Sequence, residues 1–182
     1  MSTSPTAPGE TFDVSFHVSR RIYERIGRVS NAWSQLERFI DIEIWYFSEI
    51  RDEVGACITA HLQSAERRLQ CLVAIFRLRK VDDKLIKEFH KLVESISDMA
   101  RQRNRIIHDP WINTQGKDHR WEITANRTLV MDIKDQTMSD LDTLIRKIAK
   151  ITEDYHNIIQ RIRATAPRLP GTSPPSWPVQ SQ

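Results

Sequence analysis

Glycine is scarce in this chain, with five in 182 residues. Three of them, Gly9, Gly116 and Gly171, fall in segments with loop or tail composition. That scarcity argues against a turn-rich β fold and for long helices. No run of about 18 apolar residues occurs, so no membrane-spanning helix and no membrane partner are expected. The first ten residues lack a basic stretch followed by an apolar one, so no signal peptide is expected and the default location is cytoplasmic. Only two cysteines are present, Cys57 and Cys71. On one continuous helix they would stand about 21 Å apart at 1.5 Å per residue. A disulfide needs Cα atoms within about 7 Å, so both are read as reduced core residues. No Cys/His spacing suits zinc, and there is no Gly-rich phosphate loop or internal repeat. Neither metal nor cofactor is expected. Charge of one sign is also modest: the net formal charge is +3. That balance is compatible with nucleic acid but does not argue for it alone.

The composition that remains is ordinary for one globular domain: 40% apolar and 28% charged. Residues 1–12 are rich in Ser, Thr and Pro, and residues 166–182 carry five prolines with no apolar period. Both are expected to be disordered tails around a domain spanning 13–165. Trp177 is unusual in such a tail and is taken as a chance residue rather than a docking motif.

Four long helical patterns lie between the tails. The first, about 13–50, carries Ile22, Ile26, Val29, Trp33, Leu36, Ile40, Ile44 and Phe47 at spacings of three and four, one face held over many turns. Gly27 on it marks either a bend or a close helix approach. The second spans about 54–79, with Ile58, Leu62, Ala65, Leu69, Leu72, Val73 and Phe76 inward. The third spans about 82–109, opened by Asp82 and Asp83 and stopped before Pro110. The fourth runs from about 139 to 164, on a stripe from Leu141 to Ile162. Between the third and fourth the period changes. Residues 111–133 contain short runs rich in β-branched and aromatic residues, separated by turn-forming stretches at 116–118 and 125–127. The expected fold is therefore all-α, an up-and-down four-helix bundle with a small β-hairpin inserted between helices three and four.

One charge on the third helix is out of place. Leu85, Phe89, Leu92, Ile96 and Met99 form a narrow stripe, and Arg103 falls about 20° from Ile96 on an ideal wheel. A guanidinium cannot shed its proton, so burial there demands a partner. The structural explanation is an ion pair to an acid on helix one, Glu37 or Asp41. The functional explanation draws on its neighbours. Asn104 and His108 lie one turn apart and their side chains can touch. Histidine suits proton transfer at the 2′-hydroxyl or 5′-oxygen of RNA, and arginine suits the charge that grows on a phosphorane.

Arg103-Asn104-x-x-x-His108 near the end of an amphipathic helix resembles the RxxxxH motif of the HEPN superfamily. That resemblance covers roughly residues 13–164. It implies a helical bundle, a homodimer whose two motifs form one cleft, and metal-independent endoribonuclease activity on RNA, with Arg103 and His108 catalytic and Asn104 supporting them. It further implies a toxin or phage-defence role, with an antitoxin or other protein partner. DNA is not expected as a partner. The β-hairpin departs from a simple bundle of this kind.

Other residues carry paired readings. Glu37 either orients Arg103 or His108 or is an exposed helix charge. Trp111 and Trp121 either stack on RNA bases or cover the hairpin. Arg101, Arg105, Lys117, Arg120 and Arg127 form either a phosphate-facing rim or a solvated face. His17, His61, His90, His119 and His156 lie scattered without ligand spacing. The alternative to an enzyme is a non-catalytic helical interaction or scaffold module in which Arg103 sits in a structural ion pair.

Overall fold

The computed structural model of the chain describes residues 14–169 except Arg127. The N-terminal segment 1–12, Trp177 and the rest of the proline-rich end lie outside the described residues. Helices α1 (Arg20–Ser48), α2 (Asp52–Thr59), α3 (Ala65–Leu78), α4 (Asp83–His108) and α5 (Met138–Thr165) dominate. A small antiparallel sheet follows α4, built from β2 (Trp111–Thr114), β3 (Lys117–Asn126) and β4 (Thr128–Asp135), with β1 (Val14–Ser15) at its edge. The chain is thus mostly helical but not all-α. No helix among the described residues is long and apolar enough to cross a membrane.

The α1 stripe forms as its spacing requires: Ile22, Val29, Trp33, Leu36, Ile40, Ile44 and Phe47 are all buried. The helix begins at Arg20, because residues 14 and 15 pair with β2 instead. It runs through Gly27, where a methyl group would meet no neighbour, so no helix approaches closely there. Asp82 caps α4 by accepting from the amides of Lys84 and Leu85. Thr137 and Asp140 cap α5 reciprocally. Helix α1 packs on α3 and α5, and α4 packs on the same two. One aromatic from each long helix links them: Phe47 meets Phe76 at 4.9 Å, Phe76 meets Phe89 at 5.2 Å, and Phe89 meets Tyr155 at 6.2 Å between ring centroids.

The expected single helix over 54–79 is two helices. The first stops at Thr59, and Ser64, extended and accepting from the amide of Arg67, starts α3. Ile58, expected inward, is 48% exposed. The inward residues of α2 are small: Gly55 and Thr59. Trp45 packs on Gly55, and its indole donates to Thr59 Oγ1 at 3.1 Å. A methyl group on Gly55 would overlap the Trp45 ring. Gly55→Ala is therefore expected to lower stability by about 1–3 kcal/mol through overpacking, although alanine is the better helix former by about 1 kcal/mol. Urea unfolding monitored by far-ultraviolet circular dichroism would register the sign.

Both thiols are free, but they lie on different helices; Cys71 is half-buried and packs against the core, whereas Cys57 is exposed and is not the core residue expected. Residues 166–169 are docked rather than tail-like. Arg79 donates to the Pro167 carbonyl at 2.7 Å, and the Leu169 amide donates to Glu49 Oε1 at 3.3 Å. The β2–β3 turn is Gln115-Gly116, both in the left-handed region at φ 52° and 77°, as a two-residue hairpin turn needs.

Candidate functional site

Helix α4 ends at His108 because Asp109 leaves the helical region ahead of Pro110. Its last turns are bound to the sheet by polar groups. The Trp111 indole donates to the Ile106 carbonyl at 3.0 Å, satisfying a carbonyl that the helix end leaves free. Asp109 accepts from both Arg105 and Arg120. Arg120 also donates to Gln136 Oε1 at 2.9 Å and Glu122 at 3.3 Å. Arg105 reaches Thr124 Oγ1 at 2.9 Å and the Ile123 carbonyl at 3.4 Å. Arg120 and Trp111 are 8% and 9% exposed. Buried in this way, Trp111 offers no stacking face; Arg120 borders the cleft at the end of α4, but its donors are engaged by Asp109, Glu122 and Gln136. Arg105 is half-exposed, with its donors spent on the sheet. Trp121 is half-buried on the opposite face of β3, and Arg101 is exposed beside Asp98.

The motif residues open onto two clefts that share Arg101 and Asn104. The larger, about 870 Å³, lies between the end of α4, the sheet and the start of α5, and holds His108. His108 is exposed and has no hydrogen-bond or ion-pair partner among the described residues. The smaller, about 300 Å³, lies between α1, α4 and the start of α3, and holds Arg103 and Glu37 with Trp33 behind them. Arg103 Nη1 donates to Asn104 Oδ1 at 2.9 Å. Its Nε is buried without a partner. Five residues on a helix turn a side chain through about 140°, which is why Arg103 and His108 diverge within one subunit.

The acids offered as partners for Arg103 are not used by it. Asp41 is held by Arg68 at 2.7 Å. Glu37 shares the smaller cleft with Arg103 but forms no ion pair with it. On α1 the neighbouring buried acid, Glu43, is gripped at both oxygens by Arg163 at 2.7 and 2.9 Å. Burial pushes the Asp41 and Glu43 carboxyls above their ordinary values, against the pull of their arginines. On the wall of the larger cleft Asp140 is held below its ordinary value by the backbone and hydroxyl of Thr137. Lys147 of α5 lines that cleft, exposed and without an ion-pair partner among the described residues. Sequence reasoning missed it, because no local pattern ties residue 147 to residue 108. Among the described residues no group of three His, Cys, Asp or Glu could hold a metal ion.

The chain matches no family model, and no curated protein or solved structure is significantly similar to it.

Proposed function

We propose that this chain is a metal-independent endoribonuclease of HEPN type, acting as a homodimer on RNA. The observation that carries the reading is the unspent guanidinium of Arg103. Arg25, Arg68, Arg79, Arg120 and Arg163 are also withdrawn from solvent, and each meets a carboxylate. Arg103 meets only the neutral amide of Asn104. A half-buried cation left without an anion is poised for one that arrives from outside. The scaffold alternative rested on an ion pair to Glu37 or Asp41, and neither acid makes it.

In this reading the 2′-hydroxyl of one nucleotide attacks the adjoining phosphorus. His108 exchanges the proton with the 2′-hydroxyl or the 5′-leaving oxygen, Arg103 stabilises the charge on the phosphorane, and Asn104 positions Arg103. Because Arg103 and His108 diverge within one chain, the composite cleft needs a second copy. The cytoplasmic location and a toxin or phage-defence role, restrained by an antitoxin partner, belong to the same proposal. The purified chain is expected to cut single-stranded RNA in excess chelator, leaving 2′,3′-cyclic phosphate and 5′-hydroxyl ends. Intact RNA after incubation with folded, dimeric protein sinks the reading.

A further inference from the structure

The walls of the larger cleft carry more positive than negative charge. Arg101, Arg105, Arg120, Lys134 and Lys147 line it, against the carboxylates of Asp109, Asp135 and Asp140. Four of those five cations already meet an acid. Arg101 meets Asp98, Arg105 and Arg120 share Asp109, and Lys134 meets Asp132. The carboxylates are engaged as well. Asp140 accepts from the amide and the hydroxyl of Thr137 at 2.8 Å, and Asp135 lies 2.8 Å from His119 Nδ1. Lys147 is exposed and meets no carboxylate among the described residues. Its place along the cleft follows from the helix pairing. Glu88 near the start of α4 meets Arg161 near the end of α5, so the two helices run antiparallel. At equal rise Lys147, fourteen residues before Arg161, comes level with residue 102 of α4. That is about 9 Å from His108 along the helix axis at 1.5 Å per residue.

We propose that Lys147 binds an RNA phosphate next to the scissile one and so seats the strand beside His108; this rests on the ribonuclease reading. An ammonium is a compact charge with three donors and suits a single phosphate. The other cations of the wall would have to release a carboxylate to take one. Lys147 exchanges only water, while the phosphate sheds its counterions. Its distance from His108 sets it beside the reacting phosphate, which is left to Arg103 and His108. The cleft, about 870 Å³, falls within the ~300–1,000 Å³ of ligand-binding clefts. A phosphate contact reads no base, so Lys147 contributes alike on every sequence. A flanking phosphate keeps its charge during the reaction, so Lys147 holds ground state and transition state equally. Removing it therefore raises KM and spares kcat.

Fluorescence anisotropy on the full chain tests it, with a single-stranded RNA whose 2′-hydroxyls are methylated and cannot attack phosphorus. Binding is then measured without cleavage. Lys147→Ala is expected to bind about 3–10-fold more weakly at low salt, and its slope of log affinity against log salt should shrink by about 0.7, the share of one phosphate on a single strand. Lys147→Arg should keep the wild-type slope. Lys150, one turn further along α5 and paired with Glu153 and Asp154, provides the control: Lys150→Ala is expected to change neither quantity. On unmodified RNA Lys147→Ala should raise KM by the same factor and leave kcat within about twofold. Circular dichroism melts confirm that the variants remain folded. A Lys147→Ala variant with wild-type affinity and slope overturns this inference alone, and continued cleavage then leaves the ribonuclease reading standing. Equal losses in Lys147→Ala and Lys150→Ala overturn it too, by assigning the effect to overall charge. A wild type that binds with a Lys147-dependent slope but cuts nothing supports the phosphate site and sinks the proposed chemistry. Folded wild type that binds no RNA overturns both.

Discussion

His108→Ala is expected to reduce RNA cleavage by about 10²–10⁴-fold, the usual contribution of a positioned acid or base. Its thermal midpoint should stay close to wild type. The His108 side chain is exposed and has no partner among the described residues, and exposed substitutions away from special features usually fall within about 0.5 kcal/mol. Arg103→Ala should behave alike, losing activity and little stability, because it strands no acid. A structural arginine would behave otherwise: breaking a buried pair costs about 3–5 kcal/mol. Measured together, the cleavage rate and the unfolding midpoint of these two variants separate the readings. Retained cleavage in His108→Ala, or a collapse in stability for Arg103→Ala, removes the proposed roles.

Much of the helical frame was legible because its signals are local. The α1 stripe, the Asp82 cap, the stop at Pro110 and the β-rich stretch before α5 each depend on residues within a few positions. The break between Thr59 and Ser64 was hidden because Ile58 and Leu62 prolong the apolar spacing across it. The residues that seat α2 are Gly55 and Thr59, which an apolar pattern cannot register. Strand β1 was hidden for another reason: two residues pair with a strand about 100 positions away. The candidate site divides in the same way. Arg103 as a misplaced charge and His108 at the helix end follow from the helical period. Which acids remain free does not, because it depends on Arg68 and Arg163 arriving from other helices. Nor could sequence show that Arg120 and Trp111 would be consumed in fastening the sheet to α4. Their residue types suit an RNA surface, and only their burial assigns them elsewhere.

The largest stability effect is expected at the α1–α5 contact. Arg163→Met removes the cation that grips Glu43, whose side chain is 10% exposed. At pH 7 this should cost about 3–5 kcal/mol, the range for a buried pair broken on one side, or roughly 10 °C in midpoint for a domain of this size. The loss should depend on pH with a definite sign. Burial already holds the Glu43 carboxyl above its ordinary value near 4.5, and removing Arg163 withdraws the hydrogen bond and charge that oppose that rise. An acid whose folded pKa exceeds its unfolded one favours folding when protonated. Its contribution to stability therefore declines as pH rises from about 4.5 through the folded value, then levels off. The deficit of Arg163→Met relative to wild type should accordingly shrink as pH is lowered towards 4.5. Taking the difference between the two proteins cancels the opposing carboxylates, such as Asp118 and Asp140, that are held low in both. Adding Glu43→Met to Arg163→Met removes the stranded acid and should restore most of the stability with no pH dependence of this origin, because apolar replacement of a whole buried pair is often neutral. A deficit that stays constant with pH, or that persists in the double variant, would instead assign the loss to packing, in particular to the Arg163 guanidinium that lies 4.1 Å above the Tyr46 ring.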